Sequence, residues 1–571
     1  MKKVIIGHRG VGKTELLKRH SNYFSNVTHA DLDLEIEKAS GKSIATIFAK
    51  HGEEYFRKLE IETFNELASQ YQNYVISLGA GFDLNQLNAQ DEVLFVSRIT
   101  DQMGRIFIDR PRLDKTFDPL EEFQQRFIKR QPLYQNRSDT VYFMPEGIES
   151  ENELEKIIIT KNYHISEAIY TLANSEISQL ELLKKNYGCI ELRSDLISMD
   201  SIHDIVKTDT KFNWLVSVRT NELPPTGVRL DFDIQIKNIS THFFENNKNI
   251  ISCHESNIGN ALDLVKNYKD VHIKLSPRVE NFEDLLIGHN WQQAAPQSRS
   301  FLPRSETGKW VWFRQLSKYW QNLNFVRNRT NLADQPSQYQ WLCLPVERPN
   351  HFAAVLGSPV SFSRSPEIHQ NYFNEKKSFF TAIELTEAEF LNYFSWLTDI
   401  GLKYVAVTSP LKKLAFKLST KSSDYAKKFA SANTLICKGT EIYSENTDWL
   451  GFQKMIQDSN GNNKMPVAVW GGGGTLQMMK SVLPKAHFFS SRENTADTFN
   501  LAPELVIWAA PRTSLTKYPP ETWQPKLVLD LNYLENSMGL EYAQKKSCSY
   551  LSGLSMFKTQ ALYQQKYWST P

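Results

Sequence analysis

The sequence predicts a multidomain α/β protein, and three observations carry that prediction. A short apolar run, Val4-Ile5-Ile6, leads straight into a glycine-rich turn and a helical segment. Further along, several short strands carry polar residues at every second position, which puts them on one face. Towards the C-terminal end, Pro466-Val467-Ala468-Val469-Trp470 runs into Gly471-Gly472-Gly473-Gly474. At 571 residues the chain exceeds a single core, and about 150 residues per domain gives three or four domains.

Composition narrows the function classes. A net charge of +2 makes no case for nucleic acid or for a membrane surface. Cys189, Cys253, Cys343, Cys437 and Cys548 are scattered without paired metal-ligand spacing, which fits a reducing compartment better than a disulfide framework. The first apolar run is too short for a signal peptide, and none is long enough to span a bilayer. A cytoplasmic location is expected.

In the first segment, residues 1–158, strand and helix alternate: Lys3–Ile6, Gly12–His20, a helix after Asp33, Tyr74–Ser77 and Val93–Val96. That order predicts a parallel sheet with crossover helices, an α/β/α sandwich. Gly7-His8-Arg9-Gly10-Val11-Gly12-Lys13-Thr14 has P-loop spacing between strand and helix. Gly7, Gly10 and Gly12 let backbone N–H groups curl around phosphate oxygens at a helix N-terminus. Lys13 would reach the β/γ-phosphates of a nucleotide, and the Thr14 hydroxyl would ligate Mg²⁺. Asp31 and Asp33, one residue apart, offer one carboxylate to support Mg²⁺ through water and one to accept a substrate hydroxyl proton; a helix N-cap explains the same pair.

The run Asp31-Leu32-Asp33, then Phe56-Arg57, Glu60, Gly79-Ala80-Gly81, Arg110-Pro111 and Arg130-Gln131-Pro132-Leu133-Tyr134, resembles shikimate kinase in order across this segment. The resemblance implies shikimate held by Asp33, Arg57, Gly79, Gly81 and Arg130, with Arg110 in a lid over ATP. Ala80 stands where that family usually has a third glycine.

In the second segment, residues 159–343, four strands alternate: Gly188–Asp195, Trp214–Arg219, Ile250–His254 and Val271–Ser276. Periodicity admits a half-exposed sheet with its polar face in water, which it favours, or a (β/α)8 barrel with a polar mouth. Glu191-Leu192-Arg193, Ser217-Val218-Arg219, Ser252-Cys253-His254 and Ile273-Lys274 then resemble type I 3-dehydroquinate dehydratase, in family order. That implies a Schiff base on Lys274, acid–base work by His254, and substrate binding by Glu191, Arg193 and Arg219. Arg314 would pair with the carboxylate, and Pro336-Ser337-Gln338 resembles the family's final Pro-Gly-Gln loop, which implies substrate binding by Gln338. The segment is short for such a barrel and looks shortened between His254 and Lys274, so either a helix is trimmed or the barrel is partly degenerate.

In the third segment, residues 350–571, Ser363, Ser365, Thr408, Lys412, Asn433, Asp448 and the closing Gly553…Gln560-Ala561 resemble shikimate dehydrogenase. The resemblance implies an α/β substrate domain (about 350–455 plus the C-terminal helix) and a Rossmann domain (about 456–550). Lys412 and Asp448 would form the catalytic pair, and Ser363, Ser365, Thr408, Asn433 and Gln560 would hold the substrate. Gly471, Gly473 and Gly474 would meet the pyrophosphate, and Ser491 and Arg492 follow the second strand where an arginine suits the 2′-phosphate of NADPH. Phe362 and Ala406 depart from the family's usual residues.

Together the three segments are similar to the last three domains of the fungal pentafunctional AROM protein. They imply a three-step enzyme using ATP, Mg²⁺ and NADPH on 3-dehydroquinate, 3-dehydroshikimate and shikimate; a homodimer is compatible with this. Fungal quinate-pathway repressors resemble the same domains reused as metabolite sensors, and a chain with a vestigial barrel stands between the two. The presence of Lys13, Asp33, Lys274, His254, Lys412 and Asp448 together favours the enzyme.

Overall fold

The near-continuous apolar runs of the first segment form strands buried on both faces, as parallel sheets flanked by helices require. In the computed structural model these are β1 (Lys2–Ile6), β3 (Tyr74–Ser77), β4 (Glu92–Ser97) and β5 (Thr140–Phe143), joined at one edge by the polar, partly buried β2 (Thr28–Asp31). They pair in the order β2-β3-β1-β4-β5, all parallel. The structure describes every residue except 22–25, 106–115, 145–151, 161–162, 237–247, 269, 328–332, 362, 460–465, 473–474, 494–501, 511–512, 534–536 and 570–571. The chain divides into two units, Met1–Leu342 and Cys343–Pro571. Among the described residues no helix is long and apolar enough to cross a membrane.

The second sheet of the first unit holds β6 (Ile169–Thr171), β7 (Ile190–Arg193), β8 (Trp214–Val218), β9 (Arg229–Asp233), β10 (Ile250–Cys253), β11 (His272–Leu275), β12 (Arg299–Phe301) and β13 (Phe325–Val326). These eight strands run in sequence order from β6 to β12, and β13 returns beside β6; every pairing is parallel. Ile169, Leu215, Ile250 and Phe325 from four of these strands pack with Leu302 and Leu323, which flank β12 and β13, into one buried cluster.

The stretch between His254 and Lys274, short in sequence, still carries a crossover. A helix, Ile258–Val265, does cross from β10 to β11. Among the described residues, the crossover from β8 to β9, residues 219–228, carries no helix. The sheet also contains β9, which the sequence reading passed over.

The two sheets of the first unit are joined through the β5 edge, whose backbone would otherwise stand open to mispairing. Asn186, at the end of the Leu180–Asn186 helix, takes the place of a neighbouring strand. Its Oδ1 accepts from Val141 N at 3.1 Å and its Nδ2 donates to Val141 O at 2.9 Å.

The second unit contains β14 (Phe352–Gly357), β15 (Phe380–Glu384), β16 (Leu402–Val407), β17 (Lys421–Ser422), β18 (Thr434–Lys438) and β19 (Glu441–Glu445) in a mixed sheet ordered β15-β14-β16-β18-β19-β17. It also contains β20 (Val467–Gly471), β21 (His487–Phe489), β22 (Leu505–Ala509), β23 (Leu527–Asp530) and β24 (Ser549–Leu551) in a parallel sheet ordered β21-β20-β22-β23-β24. The strand order reverses at β20, where open α/β sheets bind ligands beyond the strand ends.

Candidate functional site

Three groups of polar side chains gather at strand ends, one for each predicted segment. In the first, the turn after β1 depends on glycine. Gly10 and Gly12 sit at φ of 75° and 105°, and a Cβ on Gly7 would lie 2.4 Å from the Val96 carbonyl oxygen. Lys13 begins the following helix and donates to the Gly7 and His8 carbonyls at 2.9 and 3.3 Å. The Thr14 hydroxyl donates to Asp31 Oδ2 at 2.6 Å, while Asp31 Oδ1 accepts from Asp33 N at 3.2 Å. Asp31 therefore caps the next helix and meets the Thr14 hydroxyl with its other oxygen.

Beside it, Arg57 bridges Glu53 and Glu60 at 2.8 and 2.5 Å. Glu60 is 1% exposed, and burial pushes its carboxyl up to about 7 against the pull of Arg57. A Cβ on Gly79 would come within 2.5 Å of Glu60 and 3.0 Å of Asp33, and one on Gly81 within 2.2 Å of the Arg57 guanidinium. Glycine is what lets this turn lie against the charged cluster. Arg57, Ala80, Gly81, Arg126 and Arg130 line a cavity of about 960 Å³. The Ala80 carbonyl accepts from the Tyr134 hydroxyl at 2.5 Å. Arg110 lies outside the described residues.

The second group lines a cavity of about 330 Å³ with Glu191, Arg193, His254, Lys274, Arg314 and Gln335 among its walls. Lys274 Nζ lies 2.5 Å from Asp231 and 3.8 Å from Glu191. Burial drives its pKa down, with both carboxylates pulling the other way. Burial works to raise Asp231, and Arg219 at 2.9 Å with Lys274 overcomes it, so the carboxyl is held well below its usual range. Glu191 is held low in the same manner by Lys274 and Arg193.

His254 Nδ1 lies 2.7 Å from Asp233 Oδ2. Burial lowers the imidazole to about 4, against the opposing Asp233 carboxylate. At neutral pH it is therefore uncharged. The ionised Asp233 can only accept, so the ring proton sits on Nδ1 and Nε2 keeps its lone pair. Arg219 faces Asp231 behind the cavity wall, and Gln338 donates to the buried Tyr163 hydroxyl at 2.8 Å. Asp231 and Asp233 were not singled out from sequence; both lie on β9 with the same two-residue alternation as the strands that were.

In the third group Lys412, at the start of the Lys412–Leu418 helix, donates to Asp448 Oδ2 at 2.6 Å. Asn433 donates to Asp448 Oδ1 at 2.8 Å and to Thr447 at 3.0 Å, fixing the carboxylate. Gln564 donates to the Asn433 carbonyl and faces His369, tying the C-terminal helix to this site. Gln560 packs near Gly451, one turn beyond Asp448. Ser363 Oγ accepts from Ser365 N at 3.3 Å. A methyl of Thr408 blocks any Cβ at Gly357, at 2.3 Å. Ala406 belongs to the apolar cluster with Ala353, Phe373 and Trp568; Phe362 lies outside the described residues.

A family model described as shikimate kinase matches residues 9–160, and one described as shikimate dehydrogenase substrate binding domain matches residues 355–435. The shikimate kinase of Dictyoglomus turgidum is 34% identical over 146 residues, 24% of this chain and 83% of that protein. The chain belongs to the shikimate kinase family. The shikimate biosynthesis protein AroDE of Chlamydia pneumoniae is 29% identical over 242 residues, 38% of this chain; the match spans 50% of that relative's length. Among solved structures, the shikimate 5-dehydrogenase of Thermus thermophilus in complex with NADP(H) and shikimate is 21% identical, with a TM-score of 0.34, covering 39% of this chain and 94% of that one.

A shikimate kinase module and a shikimate dehydrogenase module thus share this chain. ATP with Mg²⁺ and NADPH are the cofactors of these two families, and the residues present fit them. The kinase module pairs a hydroxyl and a carboxylate, Thr14 and Asp31, hard oxygen ligands of the sort Mg²⁺ takes alongside phosphates. Among the described residues no group of three His, Cys, Asp or Glu is arranged to hold a metal. In the dehydrogenase module, a Cβ on Gly471 would lie 2.9 Å from the Ala509 carbonyl, so only glycine fits the turn after β20. Ser491 is buried and Arg492 exposed at the end of β21. Gly473 and Gly474 lie outside the described residues.

Proposed function

We propose that the chain catalyses three consecutive steps: dehydration of 3-dehydroquinate, reduction of 3-dehydroshikimate to shikimate, and 3-phosphorylation of shikimate. Residues 1–158 act as the kinase, 159–343 as a type I dehydratase built on a (β/α)8 barrel, and 350–571 as the dehydrogenase. The observation that carries the middle step is the meeting of Lys274, His254 and Arg314 in one cavity. The eight parallel strands in sequence order, with β13 returning to β6, support the barrel.

In the dehydratase, Lys274 Nζ, once unprotonated, attacks the substrate ketone carbon, and the carbonyl oxygen leaves as water to give an imine. His254 Nε2 removes the neighbouring proton and returns it to the departing hydroxyl, which leaves as a second water. Hydrolysis of the imine consumes one water and restores Lys274. Asp233 steadies the imidazolium that forms. In the kinase, Asp33 accepts the proton of the substrate hydroxyl while Lys13 neutralises phosphate charge. In the dehydrogenase, Lys412 and Asp448 deliver a proton to the substrate oxygen. When bound, Mg-ATP supplies the phosphoryl group and NADPH the hydride.

Purified chain given 3-dehydroquinate, NADPH, Mg²⁺ and ATP should produce 3-dehydroshikimate, shikimate and the phosphate ester in turn, followed by mass spectrometry. Lys274→Ala should halt the sequence at 3-dehydroquinate yet process added 3-dehydroshikimate. If wild-type chain leaves 3-dehydroquinate untouched while phosphorylating the product of added 3-dehydroshikimate, the middle module is not a dehydratase.

A further inference from the structure

Gln338 is held at the junction between the kinase module and the eight-stranded sheet, where its amide meets the Tyr163 hydroxyl at 2.8 Å. Counting hydrogens makes that bond one-directional. The Val141 carbonyl, on the edge strand β5, lies 2.8 Å from Tyr163 Oη. A carbonyl carries no hydrogen, so Tyr163 spends its single one there. Asn186 turns Oδ1 to Val141 N, which leaves Nδ2 for the Val141 carbonyl and for Tyr163 Oη, at 2.9 and 2.8 Å. The Tyr163 oxygen can therefore only accept from Gln338, and Gln338 must present Nε2 to it. Tyr163, Asn186 and Gln338 are all buried.

Residues 333–338 are gripped from two sides. Within the middle module, Arg327 donates through Nε to the Gln335 carbonyl at 2.9 Å, and Asp334 accepts from the Ser305 hydroxyl at 2.7 Å and from Trp310 N at 3.0 Å. Ser337 N donates to Gln340 Oε1 at 2.8 Å and Ser337 Oγ accepts from Gln340 N at 3.2 Å, a reciprocal cap that locks the loop to the helix Gln338 opens. From the other side, the chain Gln338–Tyr163–Val141 ties that same turn to β5. Ala333, Asp334 and Gln335 line the Lys274 cavity. One wall of that cavity thus leans on the sheet of the neighbouring kinase module.

We infer that Tyr163 is a positioning residue for the dehydration step: held by β5 of the kinase module, it fixes Gln338 and through it the loop 333–338 that walls the Lys274 cavity. The inference rests on the dehydratase reading. It makes the kinase sheet a structural support of its neighbour's site, with no part in the chemistry there. Without the Tyr163 hydroxyl, Gln338 Nε2 loses a buried partner and the helix it opens loses its hold on β5, whereas Val141 keeps both bonds to Asn186.

The test measures dehydration of 3-dehydroquinate by the full chain as wild type, Tyr163→Phe, Gln338→Met and the double variant. Each single variant should raise KM roughly 10-fold with kcat within about 3-fold, as when the binding-competent loop position falls to about a tenth of the population. The double variant should do no worse than either single one, because both cut the same link. Hydrogen exchange at the Gln338 and Trp341 amides should quicken in Tyr163→Phe, and phosphorylation of added shikimate should stay near wild type. A raised KM in Gln338→Met with Tyr163→Phe at wild-type values would mean that Gln338 acts without Tyr163, and overturns the inference. A fall in kcat and melting temperature with KM unchanged, the mark of a merely structural role, overturns it too. Borohydride trapping separates the two levels: no adduct on wild-type Lys274 sinks the dehydratase reading and this role with it, whereas an adduct with unchanged KM in Tyr163→Phe removes only the role of Tyr163.

Discussion

The most exposed claim about the middle module concerns the acid limb of its activity. An ordinary histidine titrates near 6.5, whereas burial lowers His254 to about 4 even with Asp233 beside it. Because the step needs Nε2 unprotonated, kcat for dehydration should hold through pH 6.5 and fall only on approaching pH 4. Asp233→Asn removes a charge that works to raise the imidazole, so the acid limb should not move upward. The cost appears in kcat instead, where the imidazolium loses a charge-assisted hydrogen bond of about 1.5–3 kcal/mol, roughly 10- to 150-fold. The assay is initial-rate kinetics from pH 3.5 to 8, with borohydride adduct yield measured alongside. Imine formation depends on Lys274, so Asp233→Asn should keep most of its adduct while losing turnover. Stability must be followed in parallel. His8, His20, His254, His272 and His369 are all lowered to about 4 with burial as the leading cause. Between about 6.5 and 4 the unfolded chain binds protons that the folded chain refuses, so stability falls as pH falls through that window. A kcat limb near 6.5 in protein still folded at that pH, or wild-type kcat in Asp233→Asn, would refute the assignment of His254.

Other expectations are independent of that module or of its chemistry. Lys13→Ala should cost on the order of 10²–10⁴ in shikimate phosphorylation, by analogy with loss of a preorganised charge stabiliser; near-normal rates would remove Lys13 from the site. Arg492→Ala should weaken NADPH about 10- to 100-fold and leave NADH nearly unchanged, read by fluorescence titration, since a charge-assisted bond to a 2′-phosphate is at stake. Lys412→Ala should collapse reduction of 3-dehydroshikimate with little change in NADPH affinity; retained turnover would break the Lys412–Asp448 pairing as a catalytic unit. Asn186→Ala strips two buried backbone partners from Val141 and should destabilise the first unit by about 2–4 kcal/mol in denaturant melts, with faster hydrogen exchange at the Val141 amide.

What sequence could and could not reveal follows from how local each feature is. The P-loop turn was legible because its demands are met within residues 2–14: strand, glycines at positive φ, then Lys13 and Thr14. The Lys412–Asp448 pair was reached through family order, and the structure adds that Asn433 holds the carboxylate in place. Strand β9 escaped notice although Leu230 and Phe232 alternate with Arg229, Asp231 and Asp233 as in its neighbours. Taken alone, a strand with three charges reads as a solvated edge. Its meaning lies in register: Asp231 pairs with Ser217 on one side and Ile250 on the other, which brings its carboxylate to Lys274 and that of Asp233 to His254. No spacing within residues 229–233 encodes that encounter. The Gln335 and Gln338 contrast has the same origin. Gln338 opens the Gln338–Leu342 helix, whereas Gln335 lines the cavity next to Asp334, which is held by Ser305 and Trp310, 29 and 24 residues earlier in the chain. A motif marks where a polar side chain belongs in a family; the hydrogen bonds of this loop decide which side chain arrives there.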